Sequence, residues 1–418
     1  MAPPSPALVP ATGQRRRLSP LTGGGRLSGP SGAGADDLDW LAEVLGAVPG
    51  AEPVPYLARV AGGEVRFLAP ARPAAATAAA LHRLGDDRSR ARQAQAVVGR
   101  LAGRAGLLGR LPGAARFALP PFAVVDHLAR ALGEPELAVA VTLGPRRRNR
   151  KPVLQLIRPD GSVVGFAKIG WSPLTAELVD NEADALRLVA GRVDPAVVVA
   201  PDVLLHDRWD SRSVAVLSPL RPAGPALPRP TPGGADPNGL AGVAAAIAAC
   251  EPAAPRPVGA LPLLAGWAAD GLGDTVDLDR LAERHQGVEL ATGLWHGDLT
   301  PWNLTTRGAT TWVWDWELAG AGRPVGLDLL HHRFEYHRRR RGATTTDAMT
   351  AAIVDAPSVL APLDRQLTGR RLAALVDLHL CELIARERRL DGQRWASPLA
   401  DLGSAATTLL ARRLQTTP

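Results

Sequence analysis

His296-Gly297-Asp298-Leu299-Thr300-Pro301-Trp302-Asn303, with Trp314-Asp315-Trp316-Glu317 one short strand later, is the stretch on which the reading of this chain turns. Pro301 keeps the first segment from becoming a regular helix, because proline lacks the N–H and crowds the preceding turn. A tight loop therefore carries the Asp298 carboxylate and the Asn303 amide five positions apart. A helix would turn the two to different faces. Asp315 lies 17 residues after Asp298 and follows the β-like piece Thr311–Val313, at the end of a hairpin's return strand. Turn and cap duty is the bland alternative for a lone Asp or Asn in a loop. An ordered set of three oxygen donors is more than a turn requires.

Phosphoryl transfer from ATP needs a carboxylate beside the acceptor hydroxyl and oxygen ligands for magnesium near the β- and γ-phosphates. H-G-D-x-x-x-x-N at 296–303 and D-W-E at 315–317 resemble the aminoglycoside phosphotransferase and choline kinase-like family, which has a protein-kinase-like fold. The resemblance extends over roughly residues 137–418 by element order. It implies Asp298 as catalytic base, Asn303 and Asp315 as magnesium ligands, and His296 as a brace for the loop. Asp328, in Gly326-Leu327-Asp328-Leu329-Leu330, resembles a further Asp that supports the same loop.

Upstream, the sequence supplies a second half for such a site. Leu137–Leu143, Val153–Ile157, Val163–Ile169, Val197–Leu205 and Ser213–Leu217 read as a five-stranded antiparallel sheet, with Asp160-Gly161 a hairpin turn and a helix over Leu174–Ala190. A kinase-like fold requires a third-strand lysine paired with a helix glutamate. Lys168 ends the third expected strand. Glu182 shares a helix face with Leu178, Ala185, Leu186 and Val189, whereas Glu177 lies with Asp180, Asn181 and Asp184, so Glu182 is the expected partner. A surface ion pair is the plainer reading of the two. Val216-Leu217-Ser218-Pro219-Leu220 is the expected hinge, with Val216 and Ser218 offering backbone groups to adenine. The loop Gly144–Pro152 has one glycine and five cations where protein kinases use glycines; Arg146, Arg148 or Lys151 would add charge over the phosphates.

The whole is expected to be an α+β, protein-kinase-like two-lobed fold, with a small antiparallel-sheet N-lobe over 131–222 and a larger helical C-lobe over 223–418. A Pro/Gly-rich tail, 1–35, reads as disordered. Residues 36–130 read as a separate small α/β module of unreadable role, with helices at 37–48, 74–84, 88–107 and 121–132 and strands Tyr56–Val60 and Val65–Leu68 around Gly62-Gly63. Residues 222–236 read as a linker. Helices are expected at 238–250, 258–268, 278–286, 326–340, 344–354, 369–390 and 398–414, with β-like pieces at Leu290–Trp295 and Thr311–Trp316.

Composition excludes several classes. The chain has 418 residues and a net charge of +7, with 46 Arg but only Lys151 and Lys168 as lysines. Neither lysine stands in a Walker-type loop, and no G-x-G-x-x-G follows a strand. The basic excess sits in Arg15-Arg16-Arg17, Arg26 and the 146–151 loop rather than on a broad face, so no nucleic-acid partner is expected. No apolar run is long enough for a membrane span, the first 35 residues lack a signal-peptide core, and Cys250 and Cys381 are too few for a disulfide framework. A cytoplasmic protein is expected. His331 and His332 point apart on a helix and do not suggest a zinc site. Five of ten tryptophans fall between Trp295 and Trp316, mostly as core, with Trp302 the one placed for substrate stacking. The expected function is ATP- and Mg-dependent phosphate transfer to a hydroxyl of a small molecule (sugar, aminoglycoside or amino-alcohol class), the alternative a catalytically silent nucleotide-binding scaffold of the same fold.

Overall fold

The computed structural model describes residues 34–83, 115–220, 231–232, 237–390 and 400–415. The expected tail (but for residues 34 and 35), the expected helix at 88–107 and most of the expected linker at 222–236 lie outside the described residues.

The first half builds an antiparallel sheet of eight strands, in the order β3-β1-β2-β4-β5-β6-β9-β8. These are β1 Val54–Ala61, β2 Glu64–Pro70, β3 Ala115–Leu119, β4 Ala138–Leu143, β5 Pro152–Ile157, β6 Val163–Gly170, β8 Val203–Trp209 and β9 Arg212–Leu217. The β1–β2 turn is Gly62-Gly63, both left-handed at φ +61° and +77°, as a tight hairpin requires. The β5–β6 turn closes through Gly161, also at positive φ, with Asp160 Oδ1 accepting the Ser162 N–H at 2.7 Å.

Two expectations change here. Residues 36–130 do not form a separate module: β2 pairs with β4 (Phe67 opposite Thr142, Leu68 opposite Val141), so their strands extend the same sheet. Without β2, the ladder groups along one edge of β4 would be unpaired and open to aggregation. Nor is Val197–Leu205 one strand. Interrupted at Pro201, it divides into β7 (Val198–Val199), which runs parallel to a strand of the helical half, and β8.

Strand alternation sends neighbouring side chains to opposite faces. Ala167 and Ile169 enter a core shared with Trp40, Leu41 and Leu45 of α1 (Ala35–Leu45) and Val124 and Leu128 of α3 (Ala123–Leu132). Lys168, between them, belongs to the other face. There α2 (Ala74–Arg83) and α4 (Pro173–Val189) pack, the latter through Val179 and Ala183 against Ala215. Ser172 caps α4 in a reciprocal capping box with Thr175.

α1 also grips the β4–β5 loop. Buried Asp37 accepts from Arg150 Nη1 at 2.6 Å, Arg146 Nε at 3.1 Å and the Val65 N–H at 2.9 Å. Trp40 lies under the Arg150 guanidinium and edge-on to Trp171. Burial alone would raise the Asp37 pKa, but the two arginines and the Val65 N–H hold it below the ordinary value. Asp37→Asn is therefore expected to lower stability by about 1.5–3 kcal/mol, the range for hydrogen bonds to charged groups. The same increment should leave the unaltered protein as pH falls through the depressed pKa, and should be missing from the variant's acid profile. Denaturant midpoints measure both; equal midpoints at neutral pH would rule the clamp out.

The second half is mostly helical: α5 Pro237–Ala248, α6 Pro262–Ala269, α7 Leu278–Arg284, α8 Leu327–Glu335, α9 Thr345–Leu360, α10 Gly369–Leu390 and α11 Ala400–Gln415. The expected helix over 326–340 is α8 followed by a wider turn at Tyr336–Arg340, and that over 258–268 is a short turn followed by α6. Small sheets interrupt the helices: β10 Thr231–Pro232, β13 Leu304–Arg307, β14 Thr310–Val313 and β7 in one, β11 Ala253–Pro257, β12 Glu289–Trp295 and β15 Gly320–Pro324 in the other. A large core joins these helices to Ala185, Leu186 and Val189 of α4. The molecule is thus α+β, an antiparallel-sheet lobe against a helical lobe, with α4 and the β7–β14 pairing spanning the two.

Candidate active site

β12 delivers His296 to the start of the loop, and the chain turns at Gly297 with φ +82°, where a Cβ would run into the Leu318 carbonyl. Only glycine fits there. Asp328, in the first turn of α8, accepts the N–H groups of His296 at 2.7 Å and Gly297 at 2.9 Å. Burial pushes the Asp328 carboxyl up to about 6, against the two donors that favour its charge.

His296 is fully buried, which holds its pKa down at about 4, and its ring packs on Trp316 at 4.6 Å. Nδ1 accepts the Asp298 N–H at 3.1 Å, so Nε2 carries the proton and donates to the Trp314 carbonyl at 3.2 Å. A neutral imidazole thus ties the Asp298 loop to the Asp315 segment. It braces rather than reacts.

Asn303 Nδ2 donates to the Asp298 carbonyl at 3.0 Å and to Asp298 Oδ2 at 2.8 Å. This fixes the amide so that its oxygen, the hard-cation donor, faces away from Asp298. Asp298 Oδ1 lies 3.1 Å from His331 Nε2 and 3.9 Å from Arg386 Nη1. Arg386 in turn binds the Gly297 carbonyl and Glu382. Burial raises the Asp298 pKa, although Arg386 opposes it.

Across the cleft, Lys168 Nζ lies 2.7 Å from Glu182 Oε1 and 2.6 Å from Asp315 Oδ1. Burial works against its charge, but Asp315 and Glu182 together hold the Lys168 pKa above its ordinary value. Glu182 also accepts the Trp316 N–H at 3.2 Å, so one helix carboxylate ties the sheet lysine to the chain beside Asp315. Asp315 itself is left-handed at φ +71°, a conformation that Asp adopts more readily than most residues. Burial would raise its pKa, but Lys168 and Lys151 outweigh it and lower the pKa. Side-chain exposure is 26% for Asp298 and 36% for Asp315, against 10% for Lys168 and 0% for Glu182, so the two aspartates are the more open of these four groups.

Of the remaining expected site residues, Val216 lies in β9 and Ser218 directly follows that strand. Val216 is buried mid-strand between β6 and β8. The Ser218 N–H donates to the Asp202 carbonyl and its hydroxyl accepts the Asp202 N–H, each at 2.8 Å. Arg148 donates to the Arg389 carbonyl at 3.2 Å, joining the β4–β5 loop to the end of α10. Arg146 is taken by Asp37, and Lys151 pairs with Glu317. The loop's cations are thus largely anchored by protein groups.

Sequence reasoning gave no role to Glu317, Arg386 or Asn181, whose Nδ2 donates to the carbonyls of Glu317 and Ala319 at 2.9 Å. His331 reads from the sequence only as a metal-ligand candidate. Glu317 stood in the quoted D-W-E, and Lys151 was one of two lysines, so both had a signal. Arg386 had none beyond an i,i+4 pairing with Glu382 on an apolar helix.

The chemistry of the donor set suits magnesium. Asp315 and the Asn303 amide supply hard oxygen donors, and ligand atoms of Glu182, Asp315 and Glu317 all lie within 4.8 Å of one another, the one such group among the described residues. Lys168 Nζ bridges Glu182 and Asp315, and Lys151 pairs with Glu317, so Asp315 and the Asn303 amide are the donors that a cation would take. The residues fit a hard divalent cation and do not fit zinc.

No protein-family model and no curated protein matches this sequence. Solved structures to which the chain is similar include a thermostable mutant of the aminoglycoside phosphotransferase APH(4)-Ia in ternary complex with ADP and hygromycin B, at 14% identity, 70% coverage of this chain and 98% of that one, and a TM-score of 0.45. The ADP-bound aminoglycoside phosphotransferase APH(2'')-Ib matches at 11% identity with the same coverages and a TM-score of 0.42. Wild-type aminoglycoside 2'-phosphotransferase-IIIa with GDP matches at 16% identity, again with the same coverages, and a TM-score of 0.40.

Proposed function

We propose that this chain transfers the γ-phosphate of ATP to a hydroxyl of a small molecule with the help of magnesium. The observation that carries the reading is convergence. A sheet lysine held by a helix carboxylate (Lys168, Glu182) meets Asp315, and the neutral His296 imidazole links the Asp315 segment to the loop of Asp298 and Asn303. A structural ion pair would need none of the loop residues beside it.

In this reading Asp298 accepts the proton of the acceptor hydroxyl while that oxygen bonds to the γ-phosphorus, and the β–γ bridging P–O bond breaks to release ADP. Lys168 holds the α- and β-phosphates, and Glu182 orients it. Asn303 and Asp315 would hold magnesium, which when bound neutralises charge on the phosphate oxygens. Asp328, His296 and Arg386 fix the loop, so the base is placed before substrate arrives. No helix among the described residues is long and apolar enough to cross a membrane.

The test is transfer of radiolabelled γ-phosphate to a library of hydroxylated small molecules, with and without magnesium. Magnesium-dependent labelling of an acceptor is expected. Saturable Mg-ATP binding with no transfer to any acceptor would favour the silent scaffold. Lys168→Met, which keeps the side-chain stem, should weaken ATP binding or turnover at least tenfold, about 1.4 kcal/mol. Lys151→Met, at a residue paired with Glu317, should do less; equal effects would overturn the assignment of Lys168.

A further inference from the structure

The acceptor side of Asp298 is basic in a way the proposed chemistry does not use. Arg147, from the β4–β5 loop, is partly buried; its Nε is fully buried and has no hydrogen-bond partner among the described residues. The charges that act on it are Arg339 and Arg338, which repel it, and Asp298 and Glu335, which attract it. Arg338 forks over Glu335 with four contacts of 2.6–3.2 Å, and Arg339 lies 3.7 Å from the same carboxylate. Arg339 also stacks over Trp302 at 5.5 Å, and Trp302 is four residues beyond the proposed base on the same loop.

Among the described residues, Glu335 and the proposed base Asp298 are thus the two carboxylates that face three guanidinium groups, those of Arg147, Arg338 and Arg339. Like charges held together are unfavourable unless an anion joins them, and the arginine fork matches the oxygens of phosphate and carboxylate. Lys168 and Lys151, by contrast, contact Asp315 and Glu317, on the side assigned above to the nucleotide. Resting on the phosphotransferase reading, we propose that the acceptor is a small hydroxy compound bearing an oxyanion, phosphate or carboxylate, which Arg147, Arg338 and Arg339 receive while its hydroxyl meets Asp298. Trp302 and Arg339 form a wall for its carbon skeleton. A polycationic acceptor is disfavoured by the same charges.

The experiment compares matched acceptors with the full chain: glycerol against glycerol 3-phosphate and glycerate, glucose against glucose 6-phosphate and gluconate, and kanamycin as the polycation. An anionic member is expected to exceed its neutral counterpart at least tenfold in kcat/KM. The phosphate and carboxylate arms identify which oxyanion is read. Arg339→Ala, at a 45% exposed side chain that can be removed without unfolding, should raise the acceptor KM at least tenfold and leave the ATP KM unchanged. Preference for the neutral compound or for kanamycin would overturn the proposal. So would a rise in the ATP KM instead, which would give the arginines to the nucleotide. Calorimetric titration with glycerol 3-phosphate and gluconate supplies a readout independent of turnover. Saturable binding weakened tenfold by Arg339→Ala and by Arg147→Ala would sustain the anion site even if no phosphate were transferred, and absence of saturable anion binding would end it.

Discussion

Asp298→Asn is expected to slow phosphate transfer by roughly 10²–10⁴-fold, the contribution typical of a positioned general base. The amide can still accept from Asn303 Nδ2, so the loop geometry and ATP binding should survive. The pH profile gives an independent check. Because burial raises the Asp298 pKa above the ordinary value, the base is protonated, and the rate falls, at a higher pH than for an exposed aspartate. The acid limb of kcat should therefore lie above that of an ordinary aspartate and should vanish from the residual activity of the variant. Single-turnover rates across pH measure this. A variant with near-normal rate, or one that keeps the same acid limb, would remove Asp298 from the base role.

Asp315→Asn should fail differently. The variant keeps the left-handed backbone, which Asn tolerates, and leaves Lys168 paired with Glu182. What it loses is the charge facing the proposed cation. Turnover is expected to drop by roughly 10²–10³-fold, as when one preorganised electrostatic stabiliser is removed. The enhancement of ATP affinity by magnesium should go with it, while affinity for ATP without magnesium should hold or rise. Calorimetric titration of ATP with and without magnesium separates the two aspartates: Asp298→Asn keeps the magnesium enhancement and Asp315→Asn loses it. Equal loss in both, or none in either, would overturn the division of roles.

Much of this arrangement was legible because it is local. Pro301, the Asn303 spacing and the strand before Asp315 are short-range signals, and so are the alternation that puts Lys168 opposite Ala167 and Ile169 and the helix face that carries Glu182. The hairpin at Asp160-Gly161 and most of the helices in the second half follow from turn chemistry and apolar periodicity, which depend on neighbours a few residues away. The support that Asp328 gives the loop was expected from the family resemblance alone, not the two N–H groups, of His296 and Gly297, that it accepts.

Other features depend on pairing between distant segments, for which a single sequence carries no signal. Nothing near residue 67 tells that β2 will cover the edge of β4, so a continuous sheet was divided in two; nothing near Asp37 announces Arg146 and Arg150, more than 100 residues away. Val216 and Ser218 were legible at a strand end, but not their partners in β8 and Asp202, which lie on another segment. Arg386 reaches Gly297 and Asp298 only because α10 packs beneath the loop. The sequence by itself determined which residue types stand on which strand, helix and loop, since backbone stereochemistry and hydrophobic periodicity act over a few residues. Only the tertiary structure decided which charges face one another, since Coulombic and hydrogen-bond partners are chosen by distance in space and not along the chain.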